Sequence, residues 1–147
     1  MRLDYQSYQE VADYLQHKDI AIIPIGSTEQ HSPDGLLGTD YLVAEDIARE
    51  VGQRLGIMVT PTIAIGIAIH HMGFAGTITL QPSTMIAYIN DYVESLIQHG
   101  FAQFFFINGH GGNVPTLQAA LAEIMNNHRI KSEIISWWHL PELQEKE

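Results

Sequence analysis

The chain has 147 residues, a length that fits one domain, and 46% hydrophobic against 16% charged residues supply a packed core and exclude intrinsic disorder. Seven Lys and Arg stand against 17 Asp and Glu, a formal net charge of −10, which excludes the basic face that nucleic acid or anionic lipid requires. No cysteine is present, so disulfides, thiolate metal sites and thiol nucleophiles are excluded as well.

In chain order, Ser7–Gln16 reads as a first helix. Ile20–Gly26 (IAIIPIG) is a near-continuous apolar run, the pattern of a strand covered on both faces. Asp40–Leu55 sets Leu42, Val43, Ile47, Val51 and Leu55 at helical spacing. Gly56–Gly66 (GIMVTPTIAIG) reads as a second strand. Ser83–His99 follows as a helix with Ile86, Ile89, Val93, Leu96 and Ile97 along one stripe, Ser83 as its N-cap and Gly100 just past its end. Gly100–Asn108 (GFAQFFFIN) is a third strand, and Val114–His128 a helix with Pro115 in its first turn. Lys131–Trp138 (KSEIISWW) is a fourth strand ending in two tryptophans, and the polar tail Pro141–Glu147 is expected to fray.

This alternation predicts an α/β fold, a mainly parallel sheet layered between helices, as one domain over residues 1–147. The longest apolar runs, Ile20–Ile25 and Phe104–Ile107, are too short to cross a bilayer, and Met1–Gln9 lacks the apolar core of a signal peptide. The expectation is a soluble, cytoplasmic protein.

Eight histidines outnumber the seven Lys and Arg, so their placement matters. In a parallel sheet the loops that follow the strands gather on one edge, where ligands bind. Glu29, His31 and Asp40 follow the first strand, His71 the second and His110 the third, so these five converge on that edge. Glu29 and His31 are two apart and share a face in an extended segment. Asp40 opens a helix, where it serves as a cap or as a carboxylate bridging two cations. Oxygen and imidazole donors without thiolate suit Zn²⁺, Mn²⁺ or another divalent first-row ion. Of the adjacent His70 and His71, one at most is expected to face the centre. His17, His99 and His128 lie at helix ends and read as structural. Gly109-His110-Gly111-Gly112-Asn113 is a turn whose glycines allow positive φ and let backbone approach a ligand, which makes Gly111, Gly112 and Asn113 candidate substrate contacts. The same turn could cradle a phosphate, although no Lys or Arg lies near it. Trp138, with Trp137, is either core or a wall for a flat substrate.

Three stretches carry a resemblance. Pro24-Ile25-Gly26-Ser27-Thr28-Glu29-Gln30-His31-Ser32-Pro33, closing in Gly38-Thr39-Asp40, resembles the opening signature of the creatininase (creatinine amidohydrolase) family. His71-Met72-Gly73-Phe74-Ala75-Gly76-Thr77 resembles its second block, and Asn108-Gly109-His110-Gly111-Gly112-Asn113 its third. The resemblance implies a metal-dependent amidohydrolase of small cyclic amides or formamides, which cleaves a C–N bond by metal-activated hydroxide. It further implies a creatininase-like α/β/α sandwich assembled into hexamers. It also implies two divalent ions, Zn, Mn or Fe, one held by Glu29, Asp40 and His110, the other by His31 and a bridging Asp40. His71 would sit beside the substrate, where a histidine suits protonation of the departing nitrogen.

The chain departs from the family pattern at Asp34, which stands where an imidazole is usual and joins His71 as a catalytic candidate. Gly112 replaces a glutamate of creatininase proper, which makes the turn similar to that of formamide hydrolases. Those members take a carboxylate from a later His-Ala-Gly-Glu-like block, absent before Glu147, so either a C-terminally shortened form or a second ion short of a protein ligand is expected. A shortened form would expose sheet edge and self-associate into a homo-oligomer. The competing reading is a catalytically silent module that binds metal or ligand or serves assembly. A third, a phosphate- or nucleotide-binding domain, rests on the glycines alone.

Overall fold

The structure, a computed structural model, describes residues 1–141, so the tail expected to fray falls, from residue 142 on, outside the described residues. Helix α1 (Tyr8–Leu15) opens with a reciprocal capping box between Ser7 and Glu10. Strand β1 (Ile20–Ile25) follows, then α2 (Thr39–Leu55), β2 (Met58–Val59), α3 (Pro82–His99), β3 (Gln103–Asn108), α4 (Val114–Asn127) and β4 (Lys131–Ser136). The four strands form one sheet in the order β2-β1-β3-β4, all parallel, with Ile20 opposite Gln103 and Ile25 opposite Asn108.

One sheet face carries Ala21, Ile23, Ile25, Phe104 and Phe106, packed on residues of α1, α3 and α4 such as Tyr14, Met85, Ile89, Val93, Leu117 and Ile124. The other face carries Ile22, Val59 and Ile107 under Ala44 and Ala48 of α2. The expected layering of a parallel sheet between helices is what the chain forms. Small residues let α2 lie close, because a side chain at Gly52 would collide with Val59. No helix among the described residues is long and apolar enough to cross a membrane.

Three sequence expectations are corrected. The second strand is a two-residue pair, not the whole of Gly56–Gly66: Thr60 N–H still reaches the Ile22 carbonyl, but the next β1 residue facing this strand is Pro24, which has no N–H to donate. Pairing returns only at the isolated Ile25–Ile63 bridge. Helix α3 starts one residue early, with Gln81 as N-cap and Pro82 at its first position, which leaves Ser83 inside the first turn. Trp137 and Trp138 lie in a 3₁₀ turn (Trp137–His139) beyond β4 rather than ending the strand, and neither is buried. Pro24 sits inside β1 without breaking the β1–β3 ladder. Its carbonyl accepts from Ile63, so its missing N–H faces the side on which β2 has already ended.

Candidate metal centre

The loops after β1, β2 and β3 and the first turn of α2 meet at the carboxyl edge of the sheet. Glu29 lies in the loop after β1, fixed by its N–H donating to the Leu37 carbonyl at 2.8 Å, and is only 5% exposed. Asp40 lies in the first turn of α2 but does not cap it, since Gly38 is the N-cap and makes no side-chain capping bond. Its carboxylate turns into the cluster instead. Ser27 Oγ donates to Oδ2 at 2.8 Å, His110 Nδ1 lies 2.9 Å from the same oxygen, and His31 Nε2 lies 2.8 Å from Oδ1. Each oxygen of Asp40 thus serves a different imidazole. His110 Nδ1 also lies 3.2 Å from Glu29 Oε1, and His71 Nε2 lies 3.9 Å from it.

The outer nitrogens decide what the inner ones can do. His110 Nε2 donates to the Ile67 carbonyl at 2.7 Å, and His31 Nδ1 donates to the Glu29 carbonyl at 3.1 Å. A carbonyl only accepts, so in the neutral ring each inward nitrogen carries a lone pair. That lone pair faces carboxylate oxygens. Only a proton or a cation between them resolves the arrangement, and such backbone bonds are how ligating imidazoles are commonly oriented. Glu29 Oε2 is buried with no hydrogen-bond partner at all. An anionic oxygen in that position and an all-oxygen-and-nitrogen donor set fit a divalent cation.

The titrations carry the same strain. Burial pushes the Glu29 carboxyl above its ordinary range, more than His110 pulls it down, and Asp40 adds to the rise. Burial pushes Asp40 up too, but hydrogen bonds from His110 and Ser27 outweigh it and hold the group low. For His110, burial disfavours the charged ring, and the bonds to Asp40 and Ile67 reverse the sign, so it stays protonated to higher pH. For His31, burial is outweighed in the same way by the Glu29 carbonyl and Asp40.

The five residues expected at one edge, Glu29, His31, Asp40, His71 and His110, do come together. Ligand atoms of Glu29, His31 and Asp40 lie within 4.8 Å of one another, as do those of Glu29, His70 and His71. Both adjacent histidines therefore face the centre, against the expectation of one. The cause is a 3₁₀ turn (Ile69–His71), which does not send successive side chains to opposite sides as a strand would. Asp34 is exposed, and no hydrogen bond or ion pair ties it to the cluster among the described residues. Trp138 is half-buried beside Gly111, with its ring 3.8 Å from where a Cβ would sit there.

Asn113 and Gly112, expected as substrate contacts, have structural roles in the turn. The Asn113 amide donates to the Gly26 carbonyl at 2.9 Å and accepts from Ile67 N–H at 3.0 Å, which clamps three loops together. A side chain on Gly112 would strike the His110 ring and the Ile67 carbonyl at 2.5 and 2.6 Å, so glycine leaves room for the bond between them. None of Gly109, Gly111 and Gly112 has positive φ. Close approach, not left-handed backbone, requires glycine at Gly109, against the Asp40 carbonyl, and at Gly112, while a Cβ on Gly111 would meet only ordinary contact with Trp138. Ser27 and the Ile67 carbonyl were not foreseen. Ser27 shares the alternation of Glu29 and was in principle readable, whereas a backbone carbonyl leaves no mark in a sequence.

A family model described as creatinine amidohydrolase (Creatininase) matches residues 4–147. The mycofactocin precursor peptide peptidase of Mycolicibacterium smegmatis is 35% identical over 109 residues, 70% of this chain and 44% of that protein. The 3-dehydro-scyllo-inosose hydrolase of Thermotoga maritima is 28% identical over 134 residues, 89% of this chain and 43% of that protein. The chain therefore spans less than half the length of these two relatives. A solved structure described as creatininase Mn superposes with a TM-score of 0.85 at 22% identity, covering 99% of this chain and 62% of that one, a likeness of fold.

Proposed function

The chain belongs to the creatininase family, and from that premise we propose that it is a metal-dependent amidohydrolase cleaving a C–N bond of a small cyclic amide or formamide. Glu29, Asp40 and His110 would hold one divalent ion, Zn, Mn or Fe, and His31 with the other oxygen of Asp40 a second. Bound there, the ions would supply Lewis acidity, which lowers the pKa of a bound water toward neutrality and polarises a carbonyl. The chain's own residues orient the reaction. Ile67 and Glu29 carbonyls aim His110 and His31, Ser27 holds Asp40, His71 stands beside Glu29, and Trp138 offers a flat wall at the rim. Asp34 has no part in this reading. Self-association belongs to the proposal, a homo-oligomer that is hexameric by the family resemblance, and β4 is an edge strand among the described residues.

The observation that carries the proposal is the pair of inward imidazole lone pairs set against carboxylate oxygens, with one oxygen of Glu29 buried and unpartnered. Elemental analysis of the purified protein should find about two divalent ions per chain, and a chelator should abolish hydrolysis. Asp40→Ala, which touches both imidazoles, should lose both ions. Full activity in metal-free protein would overturn the reading. A second substrate class, a peptide amide, is supported by the relative described as a precursor peptide peptidase. Parallel assays on creatinine, an N-formyl amine and a short peptide separate the two.

A further inference from the structure

The loop that carries Glu29 and His31 also carries Gln30, a residue with no place in the ion cluster. Its backbone N–H donates to Thr77 Oγ1 at 3.3 Å, and its side chain has two partners. Ser32 N–H lies 3.1 Å from Oε1, and Nε2 lies 3.0 Å from His71 Nδ1. Ser32 is the only non-glycine residue with positive φ (64°) among the described residues, so the turn bringing its N–H to Gln30 is held against a backbone preference.

These bonds fix a proton. A backbone N–H only donates, so the amide atom facing Ser32 is the oxygen, and the NH₂ group is turned to His71. An amide nitrogen also only donates, so His71 Nδ1 must accept and carries no proton. The proton of the neutral ring therefore sits on Nε2, on the side of Glu29. At 3.9 Å from Glu29 Oε1 it is outside hydrogen-bond range and free to meet another acceptor. A proton placed on Nδ1 would point at the amide hydrogens of Gln30. The His70 ring, 4.0 Å away, and the Phe74 ring, 6.3 Å away, pack against the imidazole and limit its rotation.

We infer that Gln30 is a positioning residue that holds His71 with Nδ1 bare and Nε2–H directed at the cluster. His71 is then a hydrogen-bond donor to a substrate oxygen rather than the proton carrier expected from the sequence. The substrate role rests on the hydrolase reading, while the tautomer does not. An N–H aimed where charge develops is the arrangement of an oxyanion-stabilising donor.

The test is long-range ¹H–¹⁵N correlation NMR of the zinc-loaded protein, with the His71 signals identified by their loss in His71→Asn. In wild type, Nδ1 should appear unprotonated and Nε2 protonated. Gln30→Glu keeps an oxygen for Ser32 but offers His71 an acceptor, so Nδ1 should become protonated. Gln30→Leu removes both bonds without adding charge, and Nδ1 should then sample both states. A protonated Nδ1 in wild type, or an unchanged pattern in both variants, overturns the inference. Chelator treatment of wild type separately decides the hydrolase reading: activity that survives it sinks that reading and leaves the tautomer result intact.

Discussion

Glu29 is the residue at which folding and proposed function pull apart. Its carboxylate is buried, one oxygen has no partner, and its pKa is raised chiefly by burial. A group whose folded pKa lies above its unfolded value contributes stability below that unfolded value and loses it as pH rises through the folded one. In metal-stripped protein, Glu29 therefore weakens the fold increasingly from the carboxylate range toward neutrality. Glu29→Gln should then melt higher than wild type at pH 7 without metal, with relief on the order of 1 kcal/mol. The gap should shrink as pH falls and wild-type Glu29 takes up its proton. With zinc present the order should reverse, because the variant has lost a donor. Thermal melts of both proteins at pH 5 and pH 7, with and without chelator, read this directly. A variant no more stable than wild type at pH 7 without metal would show that the buried charge is already compensated.

Whole elements joined by loops set how much of this was readable. Helices α1 to α4 and the three long strands follow from apolar spacing, Pro at helix starts and Gly100 at a helix end, signals that act within a few residues. Convergence of Glu29, His31, Asp40, His71 and His110 follows from parallel topology alone. Contacts between loops were not legible. Pro24 leaves β2 short, Ile69–His71 winds into a turn that brings His70 in, and the Ile67 carbonyl aims His110 from a residue whose side chain carries no hint of it. The clamp Asn113 ties those loops together, so Asn113→Ala would leave the Gly26 carbonyl and the Ile67 N–H unpaired. Each such buried group costs about 1–3 kcal/mol. The denaturation midpoint should fall accordingly. Because Ile67 also orients His110, metal affinity should fall by about 10–100-fold, the usual cost of losing an outer support of a ligand. Isothermal titration with zinc on the still-folded variant checks the second effect, and affinity equal to wild type would confine Asn113 to stability.

For the molecule as a whole, the cluster draws ligand candidates from the loop after β1 with the first turn of α2 that follows it, and from the loop after β3, far along the sequence. A chain of formal net charge −10 that buries carboxylates together opposes its own compaction at that edge, and a cation both offsets the charge and joins the segments. An ion that binds the folded chain alone stabilises it by mass action, about 2.7 kcal/mol at a free concentration of 100 times Kd. For a chain of 147 residues each kcal/mol moves the midpoint by roughly 4 °C, so stripped protein given zinc or manganese should melt roughly 10 °C higher. Asp40→Ala should show almost none of that rise. The comparison must be made at one protein concentration, since self-association also raises a melting midpoint. Equal shifts in wild type and Asp40→Ala would mean that the added ion binds elsewhere on the acidic surface and that the carboxyl-edge cluster is not what it stabilises.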